Sequence, residues 1–488
     1  MNRIFTFILL TILSFNVAYS QQDNTLFFMH ELPQANFVNP AVPSTCKLFI
    51  GMPALSSIAA NYSNTAFTIR DGLTTREGSD SLYFDPDKII SKARGKELIT
   101  SDIDLTLFTM GMHVKKYYLT FSINEKARTY NMIQADAMKM AWYGNTRFRG
   151  DQASVKGTRV NGNNYHEFAF GASRDLNSSW RFGARFNILF GLANVYSVNT
   201  KGYLYTDKDT FAMNLLLDSR VKTSLPIDSI SIDSIGNVSG IYFKDDMSVK
   251  DYLLNFRNFG FGIDLGFIHN LDEKTVLSGS LLDLGTIFWK KDINQFYTDG
   301  AMAYSGLGTE GGFDSFDQLT DSLAVVYTPR LDSAVFSSPL VPKLYVGVTR
   351  RVHDHINVGA LVRTELYRNR LHPSLTISAN TRNFNVFNAS VSYTVQNGEF
   401  TNIGAGIGVK AGPVHLHLIS DNIPGLFMLD NTRNVNIRFG LSFVPGCNER
   451  VEPESSTNKH GAIPCNFSYT PAYKAHPPKK KKNKKRRL

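Results

Sequence analysis

Residues 434–443, NVNIRFGLSF, alternate without a slip: Val435, Ile437, Phe439, Leu441 and Phe443 on one face, Asn434, Asn436, Arg438, Gly440 and Ser442 on the other. A side-chain period of two is a β-strand. The same rhythm recurs along the chain. Phe182, Ala184, Phe186, Ile188 and Phe190 oppose Arg181, Gly183, Arg185 and Asn187; Ile403, Ala405, Ile407 and Val409 oppose Asn402, Gly404, Gly406, Gly408 and Lys410. The polar faces carry Arg, Asn, Lys, Glu and Gly, a set too polar for a soluble core. The apolar faces are then the ones turned outward, toward lipid, and the chain is expected to close into a membrane barrel.

The ends of the chain support that reading. It opens MNRIFTFILLTILSFNVAYSQ, with Arg3, an apolar run from Ile4 to Val17, and small residues Ala18 and Ser20. This is the pattern of a secretory signal over 1–20, with Gln21 as the first mature residue. Beyond it no stretch of 18 apolar residues occurs, so a mature chain that enters a membrane must do so with strands. The mean hydropathy of −0.17 and the 12% aromatic content, with 35 Phe and 21 Tyr, suit strands that average a greasy face with a wet one.

Loop lengths sort by end. Tight turns at 113–116, 175–179, 270–274, 352–355, 381–384 and 411–413 alternate with long connections at 60–102, 131–164, 196–251 and 291–340 and then with shorter ones near 368–372, 396–399 and 422–433. Periplasmic turns and extracellular loops of an outer-membrane barrel differ in this way. Counting strands between them gives 47–59, 103–113, 117–130, 165–175, 179–195, 252–269, 274–289, 341–351, 356–367, 372–381, 385–395, 399–410, 414–421 and 434–444. The expectation is an all-β, transmembrane antiparallel β-barrel of about 14 strands over 46–446, with both termini in the periplasm. Helical spacing predicts short helices over 130–143 and 313–326, and alternation predicts a hairpin over 225–243.

Inside such a barrel, Arg181, Arg185, Glu167, Arg363, Glu365 and Arg438 are the charges expected to line the lumen, as cross-barrel ion pairs or as a selectivity lining. Three cysteines follow the signal: Cys46, Cys447 and Cys465. A disulfide of Cys46 with Cys447, a disulfide of Cys447 with Cys465, and free thiols all remain open, and the spacing lacks the CxxC pair of a zinc site. Histidine pairs His415/His417 and His353/His355 sit two apart, with no third ligand nearby. GAGIG (404–408) and FGFGIDLG (259–266) do not stand between a strand and a helix start, so they are read as curvature glycines on the lumen face. No GxSxG, HExxH or equivalent appears, and no enzyme activity, cofactor or metal is assigned.

The net charge of +10 is a property of one appendage. Lys479, Lys480, Lys481, Lys482, Lys484, Lys485, Arg486 and Arg487 supply eight positive charges. Residues 447–488 read as a disordered basic periplasmic tail, either a solvated extension or a contact for cell-wall polymer, anionic headgroups or an acidic envelope protein. A secreted chain has no use for it as a nucleic-acid patch.

QQDNTLFFMHELPQANFVNPA at the mature start and NFGFGIDLGFIHNLDEKTVLSGSLLDLGTIFW (258–289) resemble a family of uncharacterised outer-membrane β-barrels from Bacteroidota, with LPQANFVNPA and SLLDLGTIFW the most specific stretches. More distantly the chain is similar to PorP/SprF and PorV barrels of the type IX secretion and gliding machinery, and to FadL-type transporters. The FadL likeness implies 14 strands and an N-terminal plug, here about 21–45; the long polar loops and basic tail depart from that pattern. Two non-enzymatic functions follow: a structural or adaptor component of an envelope assembly, with outer-membrane lipid as its surroundings, or a passive channel or transporter of hydrophobic or small solutes.

Overall fold

The computed structural model describes residues 23–75, 82–93, 95–210, 212–232, 238–243, 254–304, 328–330, 334–382, 384, 386–396 and 399–445. Its wall is a closed antiparallel barrel of 14 strands. In chain order they are β1 (Leu48–Gly51 continuing as Ile58–Asn64), β2 (Lys96–Val114), β3 (Tyr117–Gln134), β4 (Arg159–Asp175), β5 (Trp180–Thr206), β6 (Phe259–Asn270) and β7 (Thr275–Trp289). Then come β8 (Lys343–His353), β9 (Ile356–Tyr367), β10 (Arg370–Thr381), β11 (Phe387–Gln396), β12 (Glu399–Ala411), β13 (Val414–Ser420) and β14 (Asn434–Phe443). Each pairs with its neighbour in sequence, and β14 closes on β1 through Ile50↔Phe443 and Ile58↔Phe439. Closure leaves no strand edge bare, which hydrocarbon demands.

The apolar face of every strand points outward. On β8, Leu344, Val346 and Val348 are exposed while Tyr345 and Thr349 are buried. The alternation continues through Val358 and Val362 on β9, Leu375 and Ile377 on β10, Ile403 and Ile407 on β12, and Leu416 and Leu418 on β13, all exposed. Facing them, Asn, Ser, Thr, Arg and Asp side chains turn inward and are buried. This is the reverse of a soluble sheet, and together with closure it places the protein in the outer membrane.

The structure corrects several boundaries. β2, β3, β4 and β5 are 19, 18, 17 and 27 residues long, well beyond the strands expected there and beyond the 9–11 that span hydrocarbon. Segments read as loops therefore continue the wall outside the bilayer. Met213–Ser224 and Ile293–Tyr304 also extend it: the first pairs with the outer half of β5, the second with the first. Polar loops lack the apolar alternation that marks a lipid-facing strand, so periodicity missed these pieces. The 225–243 hairpin is present as Ile227–Ile232 paired with Val238–Phe243. A helix occupies Ala135–Tyr143, while 130–134 remains strand; 313–326 lies outside the described residues.

β1 is not the single strand expected over 47–59. Six residues, 52–57, face only Gly440 and Leu441 of β14. The excess turns Ser56 and Ser57 into the lumen and leaves Met52 and Leu55 exposed outside.

If the outward face is dissolved in hydrocarbon, Val346→Arg costs about 2–4 kcal/mol of folding stability in bilayers. Reversible urea unfolding from liposomes measures it; a water-facing position would register almost no change.

Candidate functional site: a plugged lumen

Residues 23–45 run inside the barrel. They contain a short helix, α1 (Asn24–Phe28), and a 3₁₀ turn, Pro33–Phe37, and are almost wholly buried. Their position follows from their neighbours, which lie all round the wall. Phe27 stacks on Tyr345 of β8 at 5.9 Å. Thr25 Oγ1 meets Ser392 Oγ of β11 at 2.7 Å. Gln34 Nε2 donates to Ser442 Oγ of β14 at 2.6 Å, and Ser280 Oγ of β7 donates to the Val38 carbonyl. Only a segment within the barrel touches strands on every side.

Glycines make the fit. A Cβ added at Gly406 would stand 2.4 Å from Met29 Sδ; at Gly359, 2.4 Å from Phe28; at Gly347, 2.5 Å from Phe27. At Gly183 it would meet the Pro40 carbonyl at 2.3 Å, a backbone atom with nowhere to go. The GAGIG glycines are thus seats for the N-terminal segment rather than curvature devices: Gly404 faces Thr25, Gly406 faces Met29 and Gly408 faces Leu32.

Two polar clamps fix the segment. Asp421, just after β13, accepts from the backbone N–H of Thr25 at 2.7 Å and of Asn24 at 3.2 Å. These are N–H groups that the first turn of α1 leaves unpaired. On the opposite side Arg185 of β5 donates to the Asn36 and Phe37 carbonyls at 3.2 and 3.0 Å while its Nε is held by Asp264 at 2.7 Å.

Above the segment lies a belt of charge. Asp23 pairs bidentately with Arg438, 2.9 Å on both oxygens, and Arg438 also donates to Ser57. Lys126 bridges Glu167 (2.7 Å) and Asp283 (3.7 Å), Lys343 reaches Asp283 (3.2 Å), and Arg128 holds Asp104 (2.5 Å). The groups surround a cavity of about 60 Å³, room for a few waters. A buried charge without a partner is expensive, so this belt is stable only as a set.

Of the six charges expected in the lumen, Glu167, Arg185 and Arg438 line this one cavity. Arg363 and Glu365 pair with each other at 2.5 Å, and Arg363 reaches the belt through Tyr345 (2.9 Å). Arg181 stands apart near the turn rim with Asp175 at 3.1 Å. Asp104, Lys126, Arg128, Asp283 and Lys343 were not picked out from sequence. Asp104, Lys126, Arg128 and Lys343 share the inner face by strand parity, whereas Asp283 turns inward only because it stands at a register shift of β7 with φ 59°, which no period of two announces. His415 and His417 are buried on the lumen side; His353 and His355 stand at a turn with ring centres 6.0 Å apart. Cys46 is disulfide-bonded at the foot of the segment, packed on Phe49 and Val444. Cys447, Cys465 and the basic residues 479–487 lie outside the described residues.

In the outer half of the lumen Tyr165, Leu189, Ile287, Trp289, Phe336 and Leu340 form an apolar cluster, with Trp289 Nε1 donating to Ser338 Oγ at 2.8 Å. Still further out, the β9–β10 turn reaches across: Tyr367 stacks on Tyr130 of β3 at 4.8 Å.

A closed apolar-outside wall with its own N-terminal segment filling the inner half defines the class: a plugged outer-membrane β-barrel. Within it, the chain belongs to a family of unknown function, DUF5723, whose model matches residues 40–421. No curated protein matches in sequence. Among solved structures the chain is similar to a Pseudomonas aeruginosa FadL homologue, at 11% identity and TM-score 0.37 over 88% of this chain and 100% of that one. The toluene transporter TbuX of Ralstonia pickettii gives 11% and 0.36 over 85% and 94%, and TodX of Pseudomonas putida 9% and 0.36 over 84% and 93%. Scores this low say nothing about what crosses the barrel.

Asp421→Ala removes the acceptor from two buried N–H groups, a loss of about 1–3 kcal/mol. Hydrogen exchange is expected to speed up across 24–32 while the strand amides keep their protection; uniform exchange across both would contradict the anchoring role.

Proposed function

We propose that this protein is a non-enzymatic outer-membrane transporter for small, largely apolar solutes, with residues 23–45 as the part that moves aside. The observation that carries this reading is the inward-facing cluster around Trp289. Barrel interiors are ordinarily polar, and apolar side chains on the outer half of the lumen give a solute of like character somewhere to leave water. Beneath it, the obstruction is a terminal segment that contributes no strand to the wall, so it can leave without breaking any wall pairing. The FadL homologue and the toluene transporters suggest which probe to try first and carry no weight beyond that.

The adaptor reading rests on the basic tail, outside the described residues, and on a resemblance to PorP/SprF and PorV barrels; the matched structures lend it nothing. An aromatic fluorophore loaded outside proteoliposomes is the test. Uptake above that of empty vesicles is expected, raised in Gly183→Leu, whose side chain collides with the segment, and lowered in Trp289→Ala. Uptake equal to empty vesicles for all three proteins would leave the adaptor reading in its place.

A further inference from the structure

Among the described residues, the outer mouth of the lumen gathers positive charge without matching acids. Lys96 begins β2, 18 residues from Val114 at the turn end, so it stands beyond the bilayer. Its ammonium lies against Gly157, close enough that a Cβ there would be 2.5 Å from Nζ. Arg370, Arg159 and Lys156, all of its own sign, lie within electrostatic reach of it. Arg159, on β4, in turn feels Arg368. The register agrees: Lys96 pairs with Gln134 and Arg159 with Met132, two steps along the same strand.

The opposite wall supplies the other two cations. Tyr367 stacks on Tyr130 at the crossing point, which brings the β9–β10 turn over to β3 and β4. Arg368 then donates to the Ser197 carbonyl at 2.9 Å and to Asn161 Oδ1 at 3.4 Å, its guanidinium 4.6 Å from the centre of the Tyr196 ring. Arg370 follows at the start of β10. Among the described residues no salt bridge engages Lys96, Lys156, Arg159, Arg368 or Arg370, and Arg159 Nε is buried with no acceptor. Acids on the adjoining strands and helix have partners of their own: Glu97 accepts from Thr65, Asp136 pairs with Lys139, and Glu365 pairs with Arg363.

Like charges held together by the fold repel one another, and the arrangement is relieved by an anion. The lumen belt below illustrates the alternative, with every cation facing a carboxylate. We propose that the outer mouth, between the tips of β2 and β4 and the β9–β10 turn, binds a multiply charged anion bearing phosphate or carboxylate groups through Lys96, Lys156, Arg159, Arg368 and Arg370. Arg368 and Arg159 present planar forks suited to bidentate contact, and the tyrosines beside them exclude water from one side. The site is independent of what crosses the barrel, since it lies outside the plug and needs no opening.

The test is calorimetric titration of the purified full-length protein with inorganic pyrophosphate and with citrate, alongside flotation with vesicles of phosphatidic acid in phosphatidylcholine. Saturable one-to-one binding of a soluble probe, weakened by added salt, supports a solute site. Binding to phosphatidic acid vesicles alone, beyond that to phosphatidylcholine, assigns the same chemistry to a phosphorylated headgroup. In either arm the Lys96→Gln/Arg159→Gln and Arg368→Gln/Arg370→Gln variants are expected to weaken binding by about tenfold or more each. Arg147→Gln, on an exposed loop, should leave it unchanged. Retained heat-modifiable migration on gels shows that the variants are folded barrels. No binding of any probe, or equal binding by folded variants and wild type, overturns the proposal.

Discussion

Hydrocarbon offers a peptide group no hydrogen-bond partner, and every feature of this protein follows from meeting that condition with strands. Fourteen strands pair in sequence until β14 finds β1, and the backbone is then satisfied without water. Closure reverses the usual placement of side chains. Leu344, Val346 and Val348 need no partner where they stand, while Arg185, Asp264 and Asn187 opposite them are confined to a narrow interior and must find one.

That confinement explains the rest of the lumen. A narrow polar interior drained of bulk water holds many donors and acceptors, and unpaired ones are costly. Residues 23–45 answer this in two ways. Their backbone completes bonds the wall cannot make alone, as at Arg185 and Asp421, and their side chains Phe27, Phe28, Met29 and Leu32 fill space over glycines. The charge belt does the same above them, with Asp23 of the segment taking Arg438 of the wall. Segment and wall are complementary, so the inner lumen is closed by contact rather than by narrowness.

Much of the wall was legible in the sequence, because a period of two survives wherever one face meets lipid. The strand count, the outward apolar face and the sorting of turns by end all come from that signal. It fails where its cause is absent. Outside the bilayer both faces of β5 and of Met213–Ser224 meet water or protein, so no alternation marks them. The break in β1 escaped notice because 52–57 is as apolar as its flanks. Individual lumen charges were half visible: Arg185 and Arg438 stand in clean alternating runs, whereas Lys126 lies in a run whose outward face is itself partly polar and Asp283 stands at a register shift that breaks the period of two. The seating glycines could not be understood from their own strands, since what they accommodate is more than a hundred residues away in the chain.

Nitroxide scanning along β8 in lipid vesicles tests both halves of the account at once. Labels at 344, 346 and 348 should be relaxed strongly by oxygen dissolved in the bilayer, and labels at 345 and 349 should be shielded from both oxygen and a water-soluble nickel complex. Relaxation of the inward set by the nickel complex would mean that water fills the space assigned to residues 23–45; loss of the two-residue alternation would contradict the barrel itself.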